Sequence, residues 1–129
     1  MVFKMLGLEK PIVYIVDCDH QLLTSLSQLL HLNEVTVKAF TSAEDFLKTN
    51  LSTRAACLIV EVNLLKMDGI QLLEHINNLG VRLPTIVLST SSDVSDAVRA
   101  MQAKAIDFIE KPFIHNTLIE KVMEVINQA

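Results

Sequence analysis

Polar residues able to hold a cation or an anionic oxygen follow four apolar segments of this 129-residue chain. They are Asp17-Cys18-Asp19, Glu61, Ser89-Thr90-Ser91 and Glu110-Lys111-Pro112. Carboxylates bind hard divalent cations, whereas a lysine ammonium and a hydroxyl bind the oxygens of phosphoryl groups. If the four groups meet, they form a small pocket for a cation or a phosphoryl group. The alternative is that each residue is a helix cap or a solvated charge.

Short apolar runs precede these polar groups and predict strands. Five runs occur along the chain, at residues 12–16, 35–40, 58–60, 85–88 and 106–109. The first, third and fourth are continuously apolar, which is typical of strands buried on both faces. The second alternates apolar and polar residues, which favours an edge strand.

Residues between and after the strands repeat with the period of a helix. Apolar stripes predict helices around residues 22–30, 72–79, 94–101 and 118–126, and Ser42 with Asp45 predicts the cap of a shorter helix over 43–49. Because strands and helices alternate five times, the sequence predicts an α/β fold, a three-layer (βα)₅ unit with a parallel sheet. The carboxyl ends of its strands share one edge, where the polar groups are expected to converge.

The composition is that of one folded domain. Half of the residues are hydrophobic, a fifth are charged, and the net charge is −4. Nucleic-acid phosphates need clustered Lys and Arg, so direct nucleic-acid binding is not expected. No apolar run is long enough for a signal peptide or a membrane span, which predicts a cytoplasmic protein. We expect an N-terminal extension over residues 1–10 and one domain over 11–129.

The histidines and cysteines predict neither a zinc site nor a disulfide. The four histidines are scattered, without the spacing of a structural zinc site. Cys18 follows the first strand and Cys57 begins the third, so they lie about four residues, or roughly 13 Å, apart along the sheet, too far for a disulfide. Cys57 is expected to be part of the core.

Six segments of the chain carry a family pattern. They are Val16-Asp17-Cys18-Asp19, Ser42-Ala43-Glu44-Asp45-Phe46-Leu47, Cys57-Leu58-Ile59-Val60-Glu61-Val62, Met67-Asp68-Gly69, residues 93–101, and Asp107-Phe108-Ile109-Glu110-Lys111-Pro112-Phe113. Together they resemble bacterial response-regulator receiver domains, most closely the LuxR/FixJ-type branch that is joined to LuxR-type DNA-binding domains. The resemblance runs from about Ile12 to the C-terminus. It implies a flavodoxin-like sheet with strand order 2-1-3-4-5.

The resemblance also implies roles for the polar residues. In that family an Asp at the end of the third strand accepts a phosphoryl group from a histidine kinase, and two acids after the first strand hold Mg²⁺. A Ser or Thr after the fourth strand and an aromatic residue on the fifth move together on phosphorylation, and a Lys before Pro contacts the phosphoryl oxygens. The corresponding residues are Glu61 for the acceptor, Asp17 for the first acid, Ser89 and Phe108 for the switch pair, and Lys111 with Pro112.

The chain departs from the family pattern at its centre. The acceptor position holds Glu61, the second acid is replaced by Cys18, and Leu65 and Lys104 stand where Pro and Gly are expected. Glu places its carboxylate more than about an ångström further out than Asp, a displacement that can be very costly in phosphoryl transfer. A neutral thiol is a poor ligand for Mg²⁺. We therefore expect the usual Mg²⁺-dependent phosphorylation to be lost.

No resident cofactor is expected, although weak Mg²⁺ binding would use Asp17, Glu61 and the backbone of Asn63. Asp19 is a spare acid that more readily caps the first helix. The longer side chain of Glu61 could reach Lys111 or the Ser89 hydroxyl unaided. Two hypotheses follow: a phosphorylation-independent receiver biased towards the active-like form, or a dimerisation module that has lost its chemistry. A phospho-receiver that tolerates Glu61 and a small-molecule binder or enzyme of the same architecture are the alternatives.

The expected partners follow from the resemblance. They are a histidine kinase, a second copy of the chain, and a DNA-binding domain after Ala129 if the protein is longer than the chain considered. The resemblance places the pairing face on the fourth helix, fifth strand and fifth helix. Its charged residues of mixed sign are Arg99, Lys104, Asp107 and Lys121.

Overall fold

The sheet is parallel throughout, with strand order β2-β1-β3-β4-β5. The computed structural model describes residues 9–91 and 93–128. Within them the elements are β1 (Ile12–Val16), α1 (His20–Leu32), β2 (Thr36–Phe40), α2 (Ala43–Lys48), β3 (Ala55–Glu61), α3 (Gly69–Asn78), β4 (Thr85–Ser89), α4 (Val94–Gln102), β5 (Asp107–Glu110) and α5 (His115–Asn127). The predicted (βα)₅ order and the edge position of the second strand are confirmed. Of the extension predicted over residues 1–10, all but Glu9 and Lys10 lie outside the described residues.

Two apolar clusters, one on each face of the sheet, make the three layers. Leu26 of α1 and Val122 of α5 pack on one face with Ile59 of β3. Phe46 of α2 and Leu72 of α3 pack on the other face. Every residue of β1 and β4 is buried, because helices cover both faces of these central strands. The continuous apolar runs of the sequence are thereby explained.

Side-chain caps fix where α1 and α2 begin. Asp19 Oδ1 accepts hydrogen bonds from the backbone N–H groups of Gln21 and Leu22, and Ser42 Oγ accepts one from that of Asp45. Each satisfies N–H groups that have no partner within the helix. Both predicted caps are confirmed.

Helix α4 lies where its period predicts, but its apolar stripe faces outward. Val94 is 75% exposed, and Val98 and Met101 are about half exposed. Ala100 is the buried residue of α4, followed by the buried Ala103 and Ala105. Periodicity identifies an apolar face of a helix but not whether the rest of the chain covers it.

The two cysteines are free thiols. Cys57 pairs with Val13 in the parallel register and is buried, whereas Cys18 follows the end of β1 and is exposed. Burial raises the pKa of the Cys57 thiol to about 12. Cys57 is therefore an inert core residue, as predicted. Among the described residues, no helix is long and apolar enough to cross a membrane.

Candidate functional site

Four strands deliver the candidate polar residues to one edge of the sheet. Asp17 follows β1, Glu61 ends β3, Ser89 ends β4, and Lys111 follows β5. In the parallel register, Glu61 pairs with Leu88 of β4, and Ser89 pairs with Glu110 of β5. Residues far apart in the sequence thus meet at the carboxyl edge, where α/β folds place their sites.

Lys111 joins two of the acids in one buried cluster. Its Nζ lies 2.7 Å from Asp17 Oδ2 and 2.8 Å from Glu61 Oε1. Asp17 and Glu61 are 1% and 2% exposed. We call these three side chains the ion triad. With both carboxylates and the lysine ionised, its net charge is −1.

Backbone groups hold the other two carboxylate oxygens. Asp17 Oδ1 accepts a hydrogen bond from the N–H of Asp19 at 2.9 Å, and Glu61 Oε2 accepts one from the N–H of Asn63 at 3.0 Å. Glu61 Oε1 is buried and has the Lys111 ammonium at ion-pair distance but no hydrogen bond of good angular geometry. It is the least satisfied oxygen of the triad.

The triad keeps Lys111 charged. Burial lowers the pKa of the Lys111 ammonium, but the hydrogen bond from the ammonium to Asp17, its close contact with Glu61 and the negative charges of both acids outweigh burial, so the pKa is raised above its ordinary value. Removing charges from water is costly, and the three groups offset that cost for one another.

The expected switch residues are in place but do not bond to Glu61. The Ser89 hydroxyl donates to the carbonyl oxygen of Ser91 and accepts from the N–H of Ser91. Phe108 is half-buried against the cluster of α2 and α3. Of the two contacts anticipated for Glu61, the structure contains the one with Lys111, whereas the hydrogen bonds of Ser89 are local.

A family model agrees with this arrangement. The model of the response regulator receiver domain matches residues 13–123. The chain belongs to this family. Receiver domains are regulatory signalling domains, and the predicted flavodoxin-like fold with strand order 2-1-3-4-5 is theirs.

Curated relatives and a solved structure resemble this receiver domain closely. It is 38% identical over 110 residues to the transcriptional regulatory protein FixJ of Rhizobium meliloti (strain 1021), which covers 85% of this chain and 54% of FixJ. It is 34% identical over 121 residues to the response regulator protein TmoT of Ectopseudomonas mendocina, covering 94% of this chain and 55% of TmoT. The crystal structure of a response regulator receiver protein from Pseudoalteromonas atlantica matches with a TM-score of 0.86 at 47% identity, covering 92% of this chain and 98% of that one. The receiver domain spans about half the length of these curated relatives.

Cys18, Asp19 and Pro112 lie around the triad without joining it. All three are exposed, and the Asp19 carboxylate is occupied in capping α1. Among the described residues of the receiver domain, no three His, Cys, Asp or Glu side chains are grouped so that they could hold a metal ion.

Most of the predicted interface charges have intrachain partners. Lys121 Nζ lies 3.3 Å from Asp107 Oδ2, and Arg99 lies 3.5 Å from Asp68 and 3.4 Å from Asp96. Lys104 is exposed after α4, with a φ of 70°. Their role in protein contact stays a prediction.

Three contacts around the site of this receiver domain were not predicted from the sequence. Gly69 packs so closely that a Cβ atom would lie 2.1 Å from the carbonyl oxygen of Glu61. The Asn63 side chain donates to Thr90 Oγ1 at 2.5 Å, and Arg99 reaches Asp68 from α4. The segment Met67-Asp68-Gly69 was noted only as part of the family resemblance. The other two contacts, Asn63 with Thr90 and Arg99 with Asp68, join residues distant in the sequence and leave no periodic pattern that would have revealed them.

Proposed function

We propose that this receiver domain signals without the usual Mg²⁺-dependent phosphorylation, as a pseudo-receiver. The observation that carries the proposal is the 2.8 Å contact between Lys111 Nζ and Glu61 Oε1. The family lysine contacts phosphoryl oxygens on the acceptor. Here the longer acidic side chain supplies a carboxylate oxygen to the same lysine without modification. The domain then acts by protein contact rather than by a cycle of phosphorylation.

The donor set supports this proposal because it suits Mg²⁺ poorly. Magnesium prefers six oxygen ligands in near-octahedral geometry. The available oxygens are those of Asp17, Glu61 and the backbone of Asn63, while position 18 offers a thiol. The Lys111 ammonium lies within 2.8 Å of both carboxylates, so a divalent cation between them would meet its repulsion. We expect no resident cofactor and at most weak Mg²⁺ binding.

The surroundings of Glu61 also oppose attack on a phosphodonor. One carboxylate oxygen accepts a backbone hydrogen bond and the other faces Lys111. The residue is buried. Because phosphoryl transfer depends on positioning and charge neutralisation, a displaced and occupied carboxylate is a poor acceptor.

The output that we propose is control of transcription. FixJ is a transcriptional regulatory protein, and the part of it that matches this chain covers 54% of its length. We propose that a DNA-binding output domain belongs to the same protein, and that a histidine kinase binds the receiver domain without transferring a phosphoryl group to it. Changes at the contact surface of the receiver domain would then set the activity of the output domain.

A second copy of the chain is the partner that we propose for the face formed by α4, β5 and α5. Val94, Val98 and Met101 are exposed on α4, and the ion pair of Asp107 with Lys121 lies on the neighbouring β5 and α5. In a twofold dimer the same surface of both copies meets. A surface that carries both positive and negative side chains can therefore pair with its own copy. Sedimentation should show a dimer that Met101→Glu weakens. A wild-type chain that stays monomeric at high micromolar concentration would exclude this pairing.

Intact-mass measurement after incubation with Mg²⁺ and a small phosphodonor tests the central proposal. An ordinary receiver serves as the positive control, and the double variant Cys18→Asp, Glu61→Asp restores the family residues in this chain. We expect a phosphoryl adduct on the control and on the double variant but none on the wild type. An adduct on wild-type Glu61 would overturn the proposal and establish the phospho-receiver that tolerates Glu61.

A further inference from the structure

A cleft opens beside the ion triad, between the start of α1 and the start of α5. We call it the α1–α5 cleft. Its volume is about 410 Å³, which lies towards the lower end of the range for small-molecule sites. The cleft therefore has the size of a site for one small metabolite.

One wall of the α1–α5 cleft is apolar. It is formed by the buried Leu22, the half-buried Phe113 and the exposed ring of Pro112. The ring of His115 lies beside that of Phe113, with 5.5 Å between the ring centroids. An apolar group bound here is removed from water, which is favourable by about 25 cal/mol for each Å² buried. The wall therefore suits a ligand with an apolar side chain.

Asp19 gives the cleft an unused hydrogen-bond acceptor. Its Oδ1 caps α1 by accepting hydrogen bonds from the N–H groups of Gln21 and Leu22. Within the described parts of the chain, its Oδ2 accepts no hydrogen bond and its carboxylate forms no ion pair. Charge-assisted hydrogen bonds are stronger than neutral ones, so this carboxylate favours an ammonium group on the ligand.

Lys111 and Thr90 line the same cleft and offer hydrogen-bond donors. A lysine ammonium has three N–H donors. One of them bonds Asp17 and Glu61 occupies at most one more, so at least one is left. The Thr90 hydroxyl accepts from the side chain of Asn63, which leaves its own proton to be donated. These donors suit a carboxylate on the ligand.

The start of α5 adds backbone donors to the cleft. The helix begins at His115, which lines the cleft, and its N-cap residue Ile114 makes no side-chain hydrogen bond. The first turn also contains no acidic side chain. Its N–H groups and the positive end of the helix dipole therefore stay available to a carboxylate.

The charge around the cleft distinguishes a zwitterion from a simple acid or amine. The ion triad carries a net charge of −1, and Asp19 adds a further negative charge. A free acid would be repelled by these charges, and an amine alone would leave the donors unpaired. A ligand that carries both an ammonium and a carboxylate has no net charge and satisfies both kinds of group.

We propose that the α1–α5 cleft binds a free amino acid with a large apolar side chain. The ammonium pairs with Asp19, the carboxylate accepts from Lys111, Thr90 and the start of α5, and the side chain packs on the apolar wall. Because Lys111 belongs to the ion triad, an occupied cleft acts on the site without a phosphoryl group. The inference does not rest on the proposed function, since the cleft is present whether or not Glu61 accepts a phosphoryl group.

Titration of the isotope-labelled chain with L-leucine and with L-phenylalanine tests the site. At least one of them should shift the amide resonances of residues 19–22 and 113–117 at concentrations below about 10 mM and leave those of α3 in place. Two analogues of leucine separate its polar groups: isopentylamine lacks the carboxylate, and isocaproate lacks the ammonium. Each should bind at least about tenfold more weakly than leucine, because charge-assisted hydrogen bonds are lost.

Matched variants locate the polar contacts. Asp19→Asn keeps an oxygen that can cap α1 but removes the charge that faces the ammonium, so it should weaken leucine binding about tenfold. Asp93→Asn removes the same charge from the N-cap of α4, outside the cleft, and should leave leucine binding unchanged. Thr90→Val should weaken leucine binding roughly fivefold without weakening that of isopentylamine.

Three results would overturn the proposal. The first is the absence of shifts with both amino acids at about 10 mM. The second is equal binding of leucine, isopentylamine and isocaproate, since the cleft would then recognise hydrocarbon alone. The third is equal weakening by Asp19→Asn and Asp93→Asn, which would assign the effect to the net charge of the domain. None of these results bears on the phosphorylation of Glu61, which the intact-mass measurement tests separately.

Discussion

The ammonium of Lys111 lies 2.8 Å from the carboxylate of Glu61, at the residue that stands in the acceptor position of this receiver domain. The same ammonium lies 2.7 Å from Asp17, so one lysine serves two buried acids. Each acid also accepts a backbone hydrogen bond, which leaves Lys111 as the only cation in the described structure within salt-bridge distance of either acid. The stability of the site therefore depends strongly on this lysine.

Replacement of Lys111 by Met should destabilise the domain by about 3–5 kcal/mol, the usual cost of leaving buried charges without their partner. Urea denaturation at neutral pH measures the loss. The matched control is Lys121→Met, which removes the half-exposed pair with Asp107 and should cost less than about 1 kcal/mol. Similar losses in the two variants would contradict the strong dependence on Lys111.

Alkaline pH should weaken the fold through the same lysine. The pKa of Lys111 is raised in the folded state above the ordinary value of 10.5, so the folded protein holds this proton more tightly than the unfolded chain. Its contribution to the free energy of unfolding is complete below pH 10.5 and is lost as the pH rises through the folded pKa. Denaturation between pH 9 and 12 should show a decline above pH 10.5 that is steeper in the wild type than in Lys111→Met. Parallel declines would assign the effect to other lysines.

A side chain at position 69 should disturb Glu61 through the backbone. A Cβ atom on Gly69 would lie 2.1 Å from the Glu61 carbonyl oxygen, so Gly69→Ala forces the loop away from β3 and should cost about 1–3 kcal/mol. The backbone N–H of Asn63 donates to the Glu61 carboxylate, so the amide resonance of Asn63 should shift as well.

Gly80→Ala is the control for the Gly69 variant. Gly80 has a φ of 81° and no atom within 4 Å of the added methyl group, so its cost is backbone strain alone, about 1–2 kcal/mol. It should leave the Asn63 resonance in place. A shift of that resonance in both variants would show that the readout is not specific to the contact between Gly69 and Glu61.

The strands were predictable because buried parallel strands are continuously apolar. The predicted runs agree with β1, β2, β4 and β5 to within one residue at either end. The run at 58–60 was too short, since β3 begins earlier, at Ala55, with residues of weak strand preference. The meeting of Asp17, Glu61 and Lys111 followed from the topology, because the ends of parallel strands share an edge.

The surroundings of α4 were not predictable in the same way. Its apolar period indicates a helix, yet Val98 and Met101 remain exposed, because a pattern does not show which faces the rest of the chain covers. Arg99 was expected on a surface for protein contact, which stays a prediction, and its contact with Asp68 on the loop before α3 was not foreseen. Such a contact depends on how a helix and a loop are placed in space, and neither residue type nor spacing carries that information.

Lys104 stands where the family pattern has Gly, and its replacement by Gly tests whether this departure lowers the stability of the domain. Its φ of 70° lies in the left-handed region, which costs a residue with a Cβ atom about 1–2 kcal/mol relative to glycine. The side chain is exposed and no ion pair of the described residues includes it, so Lys104→Gly should stabilise the domain by about 1 kcal/mol in urea denaturation. Ala97→Gly, inside α4, should do the opposite and destabilise by about 1 kcal/mol. If both changes destabilise, the left-handed backbone at Lys104 is not a source of strain and the interpretation fails.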